Sequence, residues 1–128
     1  MRLLLLYLLF TNSCHSSSDE LFRITISKLF EKRILEVTDS VLYVNSQNST
    51  FEIPKKILVG TRNIIIKKTD GSDQIPFLNL SDEHLHNTST ISFAVVEKGG
   101  FKCRGEIIFK LKAAKYIFHD INYVTEIE

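Results

Sequence analysis

The sequence predicts an α+β fold: one N-terminal helix packed on a curved antiparallel β-sheet that ends in a three-stranded meander. Two patterns and one packing argument support it. Phe22, Ile26, Leu29, Phe30 and Arg33 recur at helical spacing after the acidic pair Asp19-Glu20, which suits a helix N-terminus. Residues 90–96 and 101–112 alternate apolar with polar side chains, the period of half-buried strands. A sheet with one apolar face needs a cover, and this helix is the only large candidate.

The helix is expected from about Ser18 to Ile34. Phe22 to Ser27 taken alone also reads as strand, but Leu29 to Arg33 tip the balance to helix. Val41 to Val44 are rich in β-formers, so a strand is predicted near Ser40 to Asn45, followed by a turn through Ser46 to Thr50. Pro54 biases Ile53 towards extended geometry. Ile64-Ile65-Ile66 marks a short strand over Asn63 to Lys68, closed by a turn at Asp70 to Asp73. Ile75 to Leu80 reads as extended, with Phe77 as its anchor, and the polar run Ser81 to Asn87 reads as a connector.

In the closing part, Phe101, Cys103, Gly105, Ile107, Phe109 and Leu111 should share one face of a strand. A two-residue turn at Gly99-Gly100 would set Phe93 against Glu106 and lose that register. An odd loop of three or five residues, with a glycine at positive φ, would instead pair Phe93 with Gly105 or Ile107. Lys112 to Lys115 makes a further short connection. The final strand, Tyr116 to Ile127, has apolar residues on both faces, so it is either central in the sheet or bulged near His119-Asp120.

The 128-residue length suits a single modest core. Met1-Arg2, the apolar run Leu3 to Phe10 and the polar Thr11-Asn12-Ser13 follow the order of a signal peptide. Eight apolar residues make a helix only about 12 Å long, too short to span a bilayer. Residues 1–13 are therefore read as a leader of lipoprotein type, 14–18 as a tether, and 19–128 as a single α+β domain. Cys14 would carry the lipid, with cleavage nearby by ordinary signal peptidase as the alternative. Under the first reading Cys103 is a free thiol, used as a small buried side chain; under the second, a disulfide to Cys14 stays open. Without Arg2 the chain has 15 basic and 15 acidic residues, so the cationic excess that nucleic-acid binding needs is missing.

Candidate chemistry is sparse. Asp82, Glu83, His84 and His86 are the densest set of metal-ligand types, and His84 and His86 would share a face if their segment were extended; a solvated loop is the plain alternative. His119-Asp120 is a candidate acid-base pair, although neighbours in a strand point to opposite faces. Cys103 with His119 is a candidate thiol pair. Lys102, Arg104, Lys110 and Lys112 would form a basic stripe that suits an acidic partner or serves to discourage edge pairing. No catalytic motif is recognisable, and nothing calls for a cofactor.

The leader, Cys14, a Ser/acid tether, one helix, Pro76-Phe77-Leu78 and a tail ending Asn122-Tyr123-Val124-Thr125-Glu126-Ile127 together resemble the small uncharacterised lipoproteins of Bacteroidota. Some of those are similar to cystatin-like or NTF2-like domains, in which a helix lies across a curved antiparallel sheet. The chain departs from them at Ala114-Lys115-Tyr116, where such tails often carry Gly-Lys-Trp. The expectation is an exported, lipid-anchored, non-enzymatic binding domain of the cell envelope, held to a membrane through Cys14 and open to a protein partner. The alternatives are a small inhibitor or immunity-type protein that blocks an enzyme, and a small hydrolase or isomerase with a pocket between helix and sheet.

Overall fold

The computed structural model describes residues 19–37, 39–50, 52–71, 76–98 and 100–125; the expected leader, tether and Cys14 lie outside them. Helix α1 covers residues 19–31. Leu21, Phe22, Thr25, Ile26 and Leu29 form its buried stripe, at the i, i+3, i+4 spacing that keeps side chains on one face. Fully burying Phe22 and Ile26 contributes roughly 1.5–3 kcal/mol each. On the solvent side, Arg23 donates to Asp19 one turn back at 2.9 Å. Arg33 does not belong to the stripe, contrary to the sequence reading. It adopts φ 60° and ends the helix: its N–H donates to the Phe30 carbonyl at 3.0 Å, and that of Ile34 to Leu29 at 2.9 Å. This is the left-handed termination usually built on glycine.

Among the described residues the chain then forms seven strands: β1 (Val41–Asn48), β2 (Lys56–Val59), β3 (Arg62–Lys68), β4 (Phe77–Leu85), β5 (Thr88–Glu97), β6 (Gly100–Lys112) and β7 (Lys115–Thr125). They make one sheet in the order β2-β3-β1-β4-β5-β6-β7. The expected helix-and-sheet architecture is present, but the sheet is mixed rather than purely antiparallel. β1 runs parallel to both its neighbours, pairing Val41 with Ile65 of β3 and Val44 with Leu78 of β4. Parallel neighbours normally require a crossover of a dozen or more residues. Here β3 ends beside Val44, where Thr69 N–H donates to the Val44 carbonyl at 2.9 Å, and β4 begins at the same level. The end of β3 and the start of β4 thus stand at the same level on opposite edges of β1, so no long crossover is needed.

β5, β6 and β7 follow as antiparallel neighbours, with β4 ahead of them. Ser81 to Leu85 belong to β4 rather than to a connector, because each pairs across to β5. Phe93 pairs with Gly105, as the parity of the apolar rows requires, but the means differ from the odd loop. Glu97 closes against Gly100, leaving a two-residue turn, and Lys102 is then passed over by a bulge that resets the register. Gly100 has the positive φ expected of this hairpin, 136°.

The bulge has a cost to the predicted face. Cys103, Ile107 and Phe109 are buried together, whereas Phe101, on the far side of the bulge, is 46% exposed. In β7 a register shift between Phe118 and Asp120 passes over His119, so the strand is bulged where the sequence suggested, and it lies at the sheet edge rather than the centre. Gly105 is required by close packing: a Cβ there would sit 2.1 Å from the Asn122 carbonyl oxygen of β7.

Candidate functional site

Two places combine unusual chemistry with geometry, at opposite ends of β4 and β5. The first is polar. Side chains two apart on a strand share a face, and the inward row of β4 runs Leu78, Leu80, Asp82, His84. Its partners across β5 are Val95, Phe93, Ile91 and Ser89. The row begins as hydrophobic core and ends as a hydrogen-bonded cluster.

The Asp82 carboxylate has no exposed surface. It accepts from the Thr50 N–H at 2.9 Å, from the Thr50 hydroxyl at 2.5 Å and from His84 Nε2 at 2.6 Å. An ionised carboxylate only accepts, so His84 Nε2–H donates to it, and Nδ1 on the other side of the ring contacts the Ser89 hydroxyl. Tyr116 of β7 stands beside the imidazole, ring centroids 6.4 Å apart.

Serine, imidazole and carboxylate thus lie in the order of a Ser-His-Asp triad, with the two ring nitrogens exchanged. The nucleophile position is closed, however. Ser89 is fully buried, and it pairs with Phe109 of β6 on the side away from β4. A hydroxyl without access cannot attack a substrate. What the cluster does is satisfy two buried polar groups, the Asp82 carboxylate and the Ser89 hydroxyl, and pin the chain after β1 to β4 across 32 residues.

The other sequence candidates do not assemble. His86 occupies the β4–β5 turn at φ 57° and does not share the face of His84. Among the described residues no group of three or more His, Cys, Asp or Glu side chains is placed to hold a metal ion. His119 and Asp120 are both exposed, and the Asp120 carboxylate caps the N–H of Ile121 at 2.8 Å. Cys103 is buried and free, and Asp120 lies opposite Ile108, placing His119 roughly 16 Å further along the strand than the thiol. Burial lifts the Cys103 thiol above its ordinary 9.0, against a smaller opposite pull from Lys102. The basic stripe is also interrupted: Lys102 sits 3.8 Å from Glu97, and Arg104 lies over the Phe101 ring at 5.9 Å.

The second place is apolar. Val41 and Leu42 pair with β3 on one side, but β4 begins only at Phe77, opposite Val96, and first meets β1 at Val44. The start of β1 and the end of β5 therefore flank a notch in the sheet. Residues 34–37, which leave α1, cover it in part and leave a half-open cavity of about 330 Å³. Ile34, Leu35, Leu42 and Val95 supply buried apolar walls, and Glu36, Asp39, Glu97 and Lys102 supply the charges. Neither His119 nor Asp120 lines it, which a hydrolase or isomerase pocket built on that pair would need.

Sequence reasoning missed Asp82, Ser89 and Thr50 as one cluster, and the notch entirely. Alternation from Leu78 to His84 was a usable signal for the former; the late start of β4 has no local signature. No protein-family model, curated protein or solved structure matches the chain.

Proposed function

We propose that the chain is an exported, lipid-anchored binding domain of the cell envelope with no catalytic role. The cavity in the sheet notch carries the binding part. It is concave and largely apolar, and a few charged groups converge on it, the usual make-up of a small-ligand site. The anchoring part rests on Arg2, the apolar run Leu3 to Phe10 and Cys14. The enclosed Ser89 hydroxyl argues against hydrolysis at the polar cluster.

Intact-mass analysis of the membrane fraction tests the anchor: a mature chain beginning at Cys14 with added acyl mass is expected, and a soluble chain beginning elsewhere sinks it. Screening small apolar fragments by amide chemical shift tests the cavity. Perturbations should concentrate at Leu35, Val41 and Val95.

A second reading, an inhibitor that blocks a partner enzyme, draws on Ile117, Tyr123 and Val124, exposed along β7, whose outer edge has no neighbouring strand among the described residues. Purified chain that abolishes the activity of a stoichiometrically bound enzyme would favour it.

A further inference from the structure

We infer that the notch cavity takes a small amphipathic cation: an aliphatic or aromatic body bearing an ammonium or guanidinium group. The inference rests on the cavity being a binding site and names the chemistry that site selects. Its volume, about 330 Å³, lies at the small end of ligand pockets, so the body is a short chain or one ring. Ile34, Leu35, Leu42 and Val95 offer that body an apolar wall.

The charges decide the head group. Three carboxylates, Glu36, Asp39 and Glu97, line the cavity against one ammonium, Lys102. Lys102 is spent on Glu97, 3.8 Å away, so Glu36 and Asp39 remain in excess. The nearby Arg62 guanidinium offsets part of this field, but it does not line the cavity: it donates to the Val37 carbonyl at 2.6 Å and to the Ser40 hydroxyl at 3.2 Å. An anionic ligand would meet net repulsion, and a neutral one would gain burial alone.

The test titrates the full chain with hexylammonium, 1-hexanol and hexanoate, following the amides of Leu35, Val41 and Val95. The amine should bind about tenfold tighter than the alcohol, with the carboxylate weakest. Glu36→Gln combined with Asp39→Asn should bring the amine down to the alcohol's affinity while leaving the alcohol unchanged; asparagine keeps an acceptor for the Val41 N–H. Lys102→Gln, which releases Glu97, should raise amine affinity severalfold. If amine and alcohol shift the cavity amides with equal affinity, the cation inference falls while the binding site stands. If none of the three probes shifts those amides, the inference and the binding reading fall together.

Discussion

Asp82 and His84 stand two residues apart on β4, and the imidazole donates through Nε2 to a carboxylate that has no exposed surface, at 2.6 Å. That bond, with two further bonds from Thr50, compensates a buried charge, and the same ring contacts the Ser89 hydroxyl on its other side. Hydrogen bonds to a charged group are worth more than neutral ones, and Asp82 accepts three of them. Asp82→Ala should therefore lower the unfolding free energy by about 2–3 kcal/mol, and Ser89→Ala by about 1 kcal/mol. Urea unfolding of the single and double variants would measure both. Additive losses would mean that His84 does not couple the two residues.

The β6–β7 turn holds Ala113 at φ 52° and Ala114 at φ 63°, between the closing pair Lys112 and Lys115. Two successive left-handed residues are the geometry of a tight hairpin that favours Asn-Gly, and the alanine Cβ atoms are strained there. Ala113→Asn with Ala114→Gly should stabilise the protein by about 1 kcal/mol, raising Tm by roughly 4 °C. Calorimetry reads this directly; an unchanged or lower Tm contradicts the strain.

Gly105→Ala should act in the opposite direction. Its Cβ would collide with backbone of β7, the Asn122 oxygen at 2.1 Å and Tyr123 Cα at 2.7 Å, neither of which is a flexible side-chain end. Overpacking of this kind costs about 1–3 kcal/mol. Hydrogen exchange should quicken along β7 before β4 and β5 are affected, and uniform exchange across the sheet would count against a local clash.

Cys103 ties stability to alkaline pH. Burial raises the folded thiol above its ordinary 9.0, so the folded state keeps its proton where the unfolded chain has begun to lose it. The contribution is complete below the ordinary value and is lost as pH rises through the raised folded one. Between about pH 8 and about pH 10.5 the wild type should lose more stability than Cys103→Ala, as measured by urea titration. The same shift makes the thiol slow to alkylate until the protein unfolds.

Helix α1 and the β5–β6–β7 meander were legible because their signals are local: a stripe at Phe22, Ile26 and Leu29, and alternation from Phe101 to Leu111. The parity of that alternation narrows the partner of Phe93 to Gly105 or Ile107, of which Gly105 is found, and apolar residues on both faces of the last strand left a bulge near His119-Asp120 as one of two explanations. The bulge at Lys102 was not foreseen, since a two-residue turn plus one extra residue and an odd loop satisfy the same parity, and only the former exposes Phe101. β2 was missed because four residues with a single buried side chain, Ile57, show no period. Ser81 to Leu85 were misjudged because polar side chains take inward positions there. The Asp82 carboxylate tolerates burial because the half-exposed His84 ring and Thr50, from 32 residues away, both donate to it. The placement of β1 between parallel neighbours depends on the relative levels at which β3 stops and β4 starts, which no short window of sequence contains.

That placement also sets an expectation for the order in which the strands pair. β4 to β7 are joined by tight hairpins, so their pairing closes short loops and is kinetically cheap. β1 has no such neighbour: Val41 must find Ile65, and Val44 must find Leu78, before either of its edges is satisfied. Ile107→Val in β6 should then slow refolding, whereas Val44→Ala in β1 should leave the refolding rate nearly unchanged and quicken unfolding, a division that stopped-flow kinetics resolves. Kinetics of that kind would make β1, held between β3 and β4 in the middle of the sheet, the last of the described strands to be seated.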